Sequence, residues 1–167
     1  ADDPERRKYQ NPEAILAGIG LQPGMTFVDV GCGGGFLALP AARIIGKRGK
    51  LYGFDENAEA ITDLTRLATK EGLDNLELTT GNAEEIVLCE QCADVVFFGL
   101  VIVHLADPVK ALENARRMLK PDGRLAVFDW KKKLTRQGPP MEQRLSEGQI
   151  ADFIKAAGFG GITVEDN

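Results

Sequence analysis

Apolar residues follow two alternating patterns along this chain: short continuous runs, and longer stretches in which they return every three or four positions. The short runs predict strands over 26–30, 50–54, 76–80, 94–98 and 124–128. The longer stretches predict helices over 13–19, 37–45, 58–71, 108–119 and 147–157. Strands that alternate with helices are typical of a parallel sheet. The pattern therefore predicts an α/β fold with a doubly wound, mostly parallel sheet and helices on both faces.

Turn signals and length complete this outline. Lys120-Pro121-Asp122-Gly123 predicts a turn before the fifth strand, and Gly158-Phe159-Gly160-Gly161 ends the last helix. Ile162-Thr163-Val164 predicts the start of a sixth strand. A length of 167 residues suits a single domain over 1–167, and we expect its polar residues 1–11 to be flexible.

Glycines cluster where the first predicted strand meets the helix over 37–45. Asp29, Gly31, Gly33 and Gly35 form the spacing D-x-G-x-G-x-G. Glycine lets a ligand lie against bare backbone, and the N-terminus of the following helix attracts anionic groups, so the stretch predicts a nucleotide-type cofactor site. A dinucleotide fingerprint needs a small residue where Phe36 stands, and no Lys-Ser or Lys-Thr pair completes a Walker loop. NAD, FAD and nucleoside triphosphates are therefore disfavoured.

A carboxylate ends the second predicted strand. Asp55 follows Gly31 at the distance where an acid can accept hydrogen bonds from both ribose hydroxyls of a cofactor. Asp is also a favoured N-cap residue, so capping of the following helix is the alternative role.

In this order the segments resemble the class I S-adenosylmethionine (SAM)-dependent methyltransferases. D-x-G-x-G-x-G resembles their motif I, and MLKPDGRLAVFDW resembles their L-K-P-G-G-x-L segment. VHLADP is similar to a segment of the ubiquinone- and menaquinone-biosynthesis enzymes. The resemblance implies a Rossmann-like sheet and in-line methyl transfer from SAM, which leaves S-adenosylhomocysteine. The family sheet ends in a hairpin of strands 6 and 7, and this chain has room for strand 6 only.

The resemblance also implies which residues contact the cofactor. They are Asp29, Gly31, Cys32, Gly33 and Gly35 after strand 1, Asp55 and Glu56 after strand 2, Asn82 and Ala83 after strand 3, and Gly99 after strand 4. Asn82 stands where the family commonly has an acid that accepts from the adenine amino group. Its amide can accept that bond and donate to the adjacent ring nitrogen, whereas an Asx turn is the alternative. No catalytic residue and no metal ligand is assigned.

The methyl acceptor is predicted to be a small molecule. The exit of strand 4 reads Phe98-Gly99-Leu100-Val101 rather than the N/D-P-P-Y/F signature of nucleic-acid methyltransferases, and no broad basic face is evident. Trp130 offers a flat apolar surface to such an acceptor. Lys131, Lys132 and Lys133 form either a solvated loop or a positive rim around the site. The alternatives are a methyltransferase acting on protein or tRNA, and a SAM-binding module without transferase activity.

Two further segments carry open interpretations. His104 is the only histidine and is either a packed, hydrogen-bonded side chain or a general base. The basic residues near the N-terminus, Arg6, Arg7 and Lys8, belong either to a frayed terminus or to a flexible cover over the site. In the second case Tyr9 or Gln10 would reach inward.

Composition and cysteine usage narrow the class of protein. A net charge of −5 with 44% hydrophobic and 27% charged residues is typical of a soluble globular protein. The longest apolar run, 95–103, is too short to span a bilayer. Three cysteines are too few for a disulfide framework, so the cytoplasm is the expected compartment. Cys89 and Cys92 form a C-x-x-C without the further ligands that a zinc site needs, and we interpret them as incidental loop cysteines.

Overall fold

A five-stranded parallel sheet organises the part of the chain that the computed structural model describes, residues 4–8, 10–129 and 144–163. Its strand order is β3-β2-β1-β4-β5, and each neighbouring pair is parallel. The strands are β1 Thr26–Val30, β2 Lys50–Asp55, β3 Leu76–Thr80, β4 Ala93–Gly99 and β5 Leu119–Phe128. The predicted fold class and the positions of the five strands are therefore confirmed.

Helices precede β1 and connect every consecutive pair of strands except β3 and β4. They are α1 Pro4–Arg7, α2 Pro12–Ile19, α3 Ala38–Ile45, α4 Ala58–Lys70, α5 Pro108–Met118 and α6 Glu147–Ala156, with a 3₁₀ turn at Ile102–His104. The predicted helices match α2 to α6 within one or two residues. Among the described helices, none has both the length and the apolar character that crossing a bilayer requires.

The sheet is covered on both faces because its central strands are apolar on both sides. In β1, Phe27 packs into a core cluster with residues of α2, α3 and α4. Its neighbour Val28 points the other way, into a second cluster with residues of α5 and α6. This alternation is the period-two geometry of a strand, and it explains why β1 and β4 read as nearly continuous apolar runs.

The predicted turn at 120–123 is wrong, because these residues lie within β5. Pairing with β4 passes from Ala93↔Leu119 to Val95↔Arg124, so the extra residues of β5 form an irregularity in the ladder. The chain stays pressed against β4 there, and a Cβ on Gly123 would lie 2.8 Å from the Ala93 carbonyl oxygen. Pro and Gly therefore mark a bulge rather than a reversal of the chain.

The predicted sixth strand is not present in its described part. Residues 161–163 have no regular structure and pair with no described strand, and Val164 lies outside the described residues. The apolar alternation of this segment has no described neighbour to pair with, so pattern alone does not make it a strand.

Candidate functional site

Two small cavities lie at the carboxyl ends of the strands, at the point where the strand order reverses between β1 and β4. This is where open α/β sheets bind ligands. The first cavity, of about 90 Å³, is lined by Arg6, Asp29, Gly33, Phe36, Phe97, Gly99 and Phe128 among others. The second, of about 120 Å³, is lined by Asp55, Glu56, Gly81, Ala83, Val101 and His104 among others. Gly31 borders both.

The glycine loop bends tightly over the end of β2. The N–H groups of Gly31 and Cys32 both donate to the Phe54 carbonyl oxygen, at 2.9 and 3.1 Å. Gly31 has φ +72°, and a Cβ there would collide with the Cγ1 atom of Val101. Gly31 therefore lets the segment after β4 pass directly over the loop, where Val101 lines the second cavity. Gly35 lines neither cavity, and its missing side chain makes room for Leu64 of α4.

Asp55 holds the loop in place. Its Oδ2 accepts a hydrogen bond from the Gly33 N–H at 2.9 Å, and its Oδ1 accepts one from the Asn57 N–H at 2.9 Å. The α4 helix is capped by Asn57, whose Oδ1 accepts from the N–H groups of Glu59 and Ala60. The alternative role of Asp55 as the N-cap is therefore wrong, and its carboxylate faces the second cavity.

Asp29 places a carboxylate inside the protein, beneath the first cavity. The residue is 3% exposed, and its Oδ2 accepts no hydrogen bond from any described residue. Burial raises the pKa of this carboxyl to about 7, opposed by the positive charge of Arg6 and assisted by the negative charge of Asp55. An orphaned buried oxygen beside a cavity is the feature expected where a ligand completes the hydrogen bonding.

Cys32 also lines the first cavity but is not a reactive thiol. Its side chain is 6% exposed and packs beside Gly53, where an added Cβ would lie 3.2 Å from its sulfur. Burial raises its pKa, and the negative charges of Asp29 and Asp55 add to the effect. The side chain is therefore a neutral packing group at physiological pH.

The segment after β3 lines the second cavity with Gly81 and Ala83 but not with Asn82. Asn82 Oδ1 accepts a hydrogen bond from the Glu84 N–H at 2.8 Å, which is the Asx turn named as the alternative, and Asn82 does not line the second cavity. Ala83 does line it, and its carbonyl oxygen accepts from the buried Asn114 side chain of α5 at 3.1 Å. A second-cavity ligand would therefore meet Gly81 and Ala83.

The exit of β4 brings Gly99 to the first cavity and His104 to the second. Between them, Leu100 has φ +62°, an unfavourable backbone conformation for a residue with a branched side chain. His104 is exposed and lies on the Asp55 side, away from Asp29 and Gly99. Trp130 and Lys131–Lys133 lie outside the described residues.

Arg6 lies at the first cavity, although sequence reasoning named it only within a basic segment with two interpretations and not among the cofactor-binding residues. Its guanidinium carbon lies 3.9 Å from the centroid of the Phe36 ring, and its Nε donates to Gln10 Oε1 at 2.5 Å. Gln10 is 6% exposed, so it reaches inward as one of the two interpretations expected, whereas Tyr9 lies outside the described residues. The only sequence signal was the basic segment, which does not reveal that it folds back onto Phe36.

Cys89 and Cys92 are joined as a disulfide, with their Cα atoms 5.9 Å apart, so their interpretation as incidental loop cysteines is wrong. Three residues of separation bring the two side chains within bonding reach. The loop is held on the end of α5, where the N–H groups of Gln91 and Cys92 donate to the carbonyl oxygens of Arg117 and Met118, both at 2.9 Å. The pair directly precedes β4 and so lies at the amino ends of the strands, whereas the cavities lie at their carboxyl ends. Within the described ranges, no group of three or more His, Cys, Asp or Glu side chains could hold a metal ion.

This chain is similar in sequence and in fold to known methyltransferases. Residues 21–157 match a family described as "Methyltransferase domain". A crystal structure of a SAM-dependent methyltransferase from Aquifex aeolicus is 35% identical, with a TM-score of 0.88 over 94% of this chain and 84% of that one.

Two curated relatives are each 29% identical over 71% of this chain. They are the arsenite methyltransferase of Halobacterium salinarum and the 2-phytyl-1,4-naphtoquinone methyltransferase of Trichormus variabilis. The matched segments cover 30% and 52% of those proteins, so the chain spans about half of their length or less. The match across 21–157 and the likeness to the Aquifex aeolicus enzyme identify this chain as a member of the SAM-dependent methyltransferase family.

Proposed function

We propose that this chain binds SAM across the two cavities and transfers its methyl group to a small molecule. In this arrangement the amino-acid end of the cofactor occupies the first cavity and the adenosine end the second, with Gly31 between them. One observation carries the proposal. Two acidic residues, Asp29 and Asp55, line neighbouring cavities that share Gly31.

The residues present fit this cofactor. Each oxygen of Asp55 accepts one backbone hydrogen bond and keeps further acceptor capacity, which two ribose hydroxyls can use. No described atom lies within 4 Å of the position where Gly33 would carry a Cβ, so a ligand can approach the backbone there. The buried Oδ2 of Asp29 suits the ammonium group of the amino-acid end.

The protein contributes alignment and exclusion of water. When bound, SAM supplies a methyl group on a positively charged sulfur. The aromatic rings of Phe36, Phe97 and Phe128 line the first cavity and would keep water from this end of the site. Alignment of an acceptor with such a methyl group can lower the barrier substantially without an acid or base. His104 lies by the second cavity, so we assign it no role as a base.

A small-molecule acceptor is supported by the relatives and by charge. The names of two relatives specify arsenite and a naphthoquinone as substrates. The chain carries a net charge of −5, which does not favour polyanionic nucleic acid. The acceptor would enter beside Gly99, at the exit of β4. Methylation of protein or tRNA, and SAM binding without transfer, remain the competing functions.

The domain extent and the compartment belong to this proposal. We infer that residues 1–167 form one methyltransferase domain, supported by the family match across 21–157. A cytoplasmic location stays a prediction from the sequence.

Calorimetric titration and methyl-transfer assays test the proposal in two steps. The protein is titrated with SAM, S-adenosylhomocysteine and NADH, and we expect the first two to bind and NADH to give no heat. The protein and labelled SAM are then incubated in three parallel reactions, with a metabolite extract, with tRNA or with cell protein. Label in the metabolite fraction is expected. Label mainly in tRNA or protein contradicts the small-molecule acceptor, and binding without any transfer supports the binding module.

A further inference from the structure

Two segments from different parts of the chain contribute to the lining of the second cavity. The segment after β3, residues 81–84, supplies two of the lining residues, and the segment after β4, residues 100–107, supplies three. These lining residues are Gly81, Ala83, Val101, His104 and Leu105. The shape of the cavity therefore depends on how the two segments are held relative to each other.

One side chain joins the two segments. Glu84 Oε1 accepts hydrogen bonds from the Ala106 N–H at 3.0 Å and from the Asp107 N–H at 3.3 Å. Among the residues that the structure describes, no other hydrogen bond runs between 81–84 and 100–107. Ala106 and Asp107 are exposed, so they are not fixed by burial in the core. The Glu84 carboxylate is therefore the contact that holds the end of the segment after β4.

Glu84 is itself held in place by its neighbours. Its N–H donates to Asn82 Oδ1 at 2.8 Å, and the preceding carbonyl oxygen, of Ala83, accepts from the buried Asn114 Nδ2 at 3.1 Å. Its carboxylate lies at the N-terminus of α5, whose N-cap is Asp107, and a negative charge is favourable there. The Asx turn of Asn82 thus fixes the backbone from which Glu84 reaches α5.

The segment after β4 is anchored independently at its start. The Leu100 N–H donates to the Phe128 carbonyl oxygen at 2.8 Å, and Ile102 is buried in a core cluster. The residues toward its other end are mostly exposed. Loss of the Glu84 bonds would therefore release the end that carries His104, while the start of the segment stays in place.

We propose that Glu84 is a positioning residue for the adenosine end of the cofactor, because it holds the segment after β4 in the arrangement to which the ligand binds. A segment that is already ordered need not be ordered on binding, so Glu84 increases affinity without contacting the ligand. This inference rests on the proposed function, because it takes SAM or its product as the ligand of the second cavity.

Three variants test the positioning role. Glu84→Ala removes both hydrogen bonds, whereas Glu84→Gln keeps an amide oxygen that can accept both, because both donors bond to one oxygen. Glu85→Ala is the matched control, at an exposed neighbouring acid outside the lining of the second cavity. Amide hydrogen exchange of the unliganded proteins measures the order of residues 100–107, and calorimetry measures the affinity for S-adenosylhomocysteine.

The effects should be local and should be reversed by the amide. In Glu84→Ala, exchange should rise in residues 104–107 but not in β1 or β4, and affinity should fall by on the order of 10-fold. Glu84→Gln should stay within about threefold of wild type in affinity. Glu85→Ala should match wild type in both measurements. A general loss of stability would instead raise exchange in the strands and would not be rescued by glutamine.

The remaining outcomes contradict the inference in different ways. Unchanged exchange in Glu84→Ala would show that Glu84 does not hold the segment. Faster exchange with unchanged affinity would show that the ligand does not need the held arrangement. Equal losses of affinity in Glu84→Gln and Glu84→Ala would exclude the two hydrogen bonds as the cause. If wild-type protein does not bind S-adenosylhomocysteine, the proposed function itself is wrong, and the exchange measurement still reports separately on the Glu84 contact.

Discussion

Asp55 and Gly33, which are far apart in the sequence, are joined by a hydrogen bond from the Gly33 N–H to the Asp55 Oδ2 at 2.9 Å. The bond ties the glycine loop after β1 to the end of β2. One carboxylate thus both shapes the loop and faces the second cavity.

Asp55→Ala should therefore weaken SAM binding by roughly 1–3 kcal/mol, because ribose contacts and the support of the loop are lost together. Calorimetry measures the change. Asp74→Ala, at an exposed acid after α4, is the matched control and should bind normally. Unchanged affinity in Asp55→Ala would contradict both the ribose contact and the dependence of SAM binding on the loop bond.

Gly33→Val should abolish detectable binding while leaving a folded domain. Gly33 has φ +51°, which costs a β-branched residue roughly 1–3 kcal/mol, and the new side chain would enter the space left for the ligand. Gly24→Val is a matched control, because Gly24 also has a positive φ, +85°, and open space around it. Gly24 precedes β1 and lies at the amino ends of the strands, away from the cavities. Similar losses of stability with binding retained only in Gly24→Val would support the placement. Normal SAM binding by Gly33→Val would refute it.

The affinity for SAM should rise with pH up to about 7 and then level off. Burial raises the pKa of Asp29 to about 7, so below that pH the carboxyl is mostly protonated and must lose its proton to pair with an ammonium group. The charged or titratable groups that face it are Arg6 of α1, Asp55 of β2 and Cys32 of the loop. Calorimetry between pH 5.5 and 7.5, in buffers of different ionisation enthalpy, should detect proton release on binding at the acidic end. Asp29→Asn should show weaker binding without this release, and persistence of the release in that variant would assign the proton to another group.

Loss of the Cys89–Cys92 disulfide should cost little and leave the cofactor site intact. The bridge closes a loop of only four residues, for which chain entropy accounts for about 2 kcal/mol. Urea denaturation of the Cys89→Ser/Cys92→Ser variant, and of wild type with and without reductant, measures the cost. SAM affinity should stay unchanged because the bridge lies at the amino ends of the strands, away from the cavities. A large fall in affinity would reveal coupling between the two ends of the sheet.

Sequence periodicity was sufficient to predict the positions of the strands and helices, because the central strands are buried on both faces and the helices on one. It was insufficient where a residue has two physically reasonable partners. Asn82 could face a ligand or close an Asx turn, and only the bond to Glu84 decides. Lys120–Gly123 has turn composition, yet contact with Ala93 keeps it in the sheet. For Arg6 the sequence left two interpretations open, because its contact with Phe36 is a tertiary one that no local pattern encodes.

The α1 helix has four residues, none of them buried, although it carries Arg6 into the site. Its detachment would expose neither core cluster, so opening of the N-terminal segment costs much less than unfolding of the sheet. We expect amide hydrogens of residues 5–8 to exchange much faster than those of β1. Ligand residence time and global stability therefore depend on different parts of this fold. A substitution that stabilises the core should raise the melting temperature without slowing the entry or release of ligand.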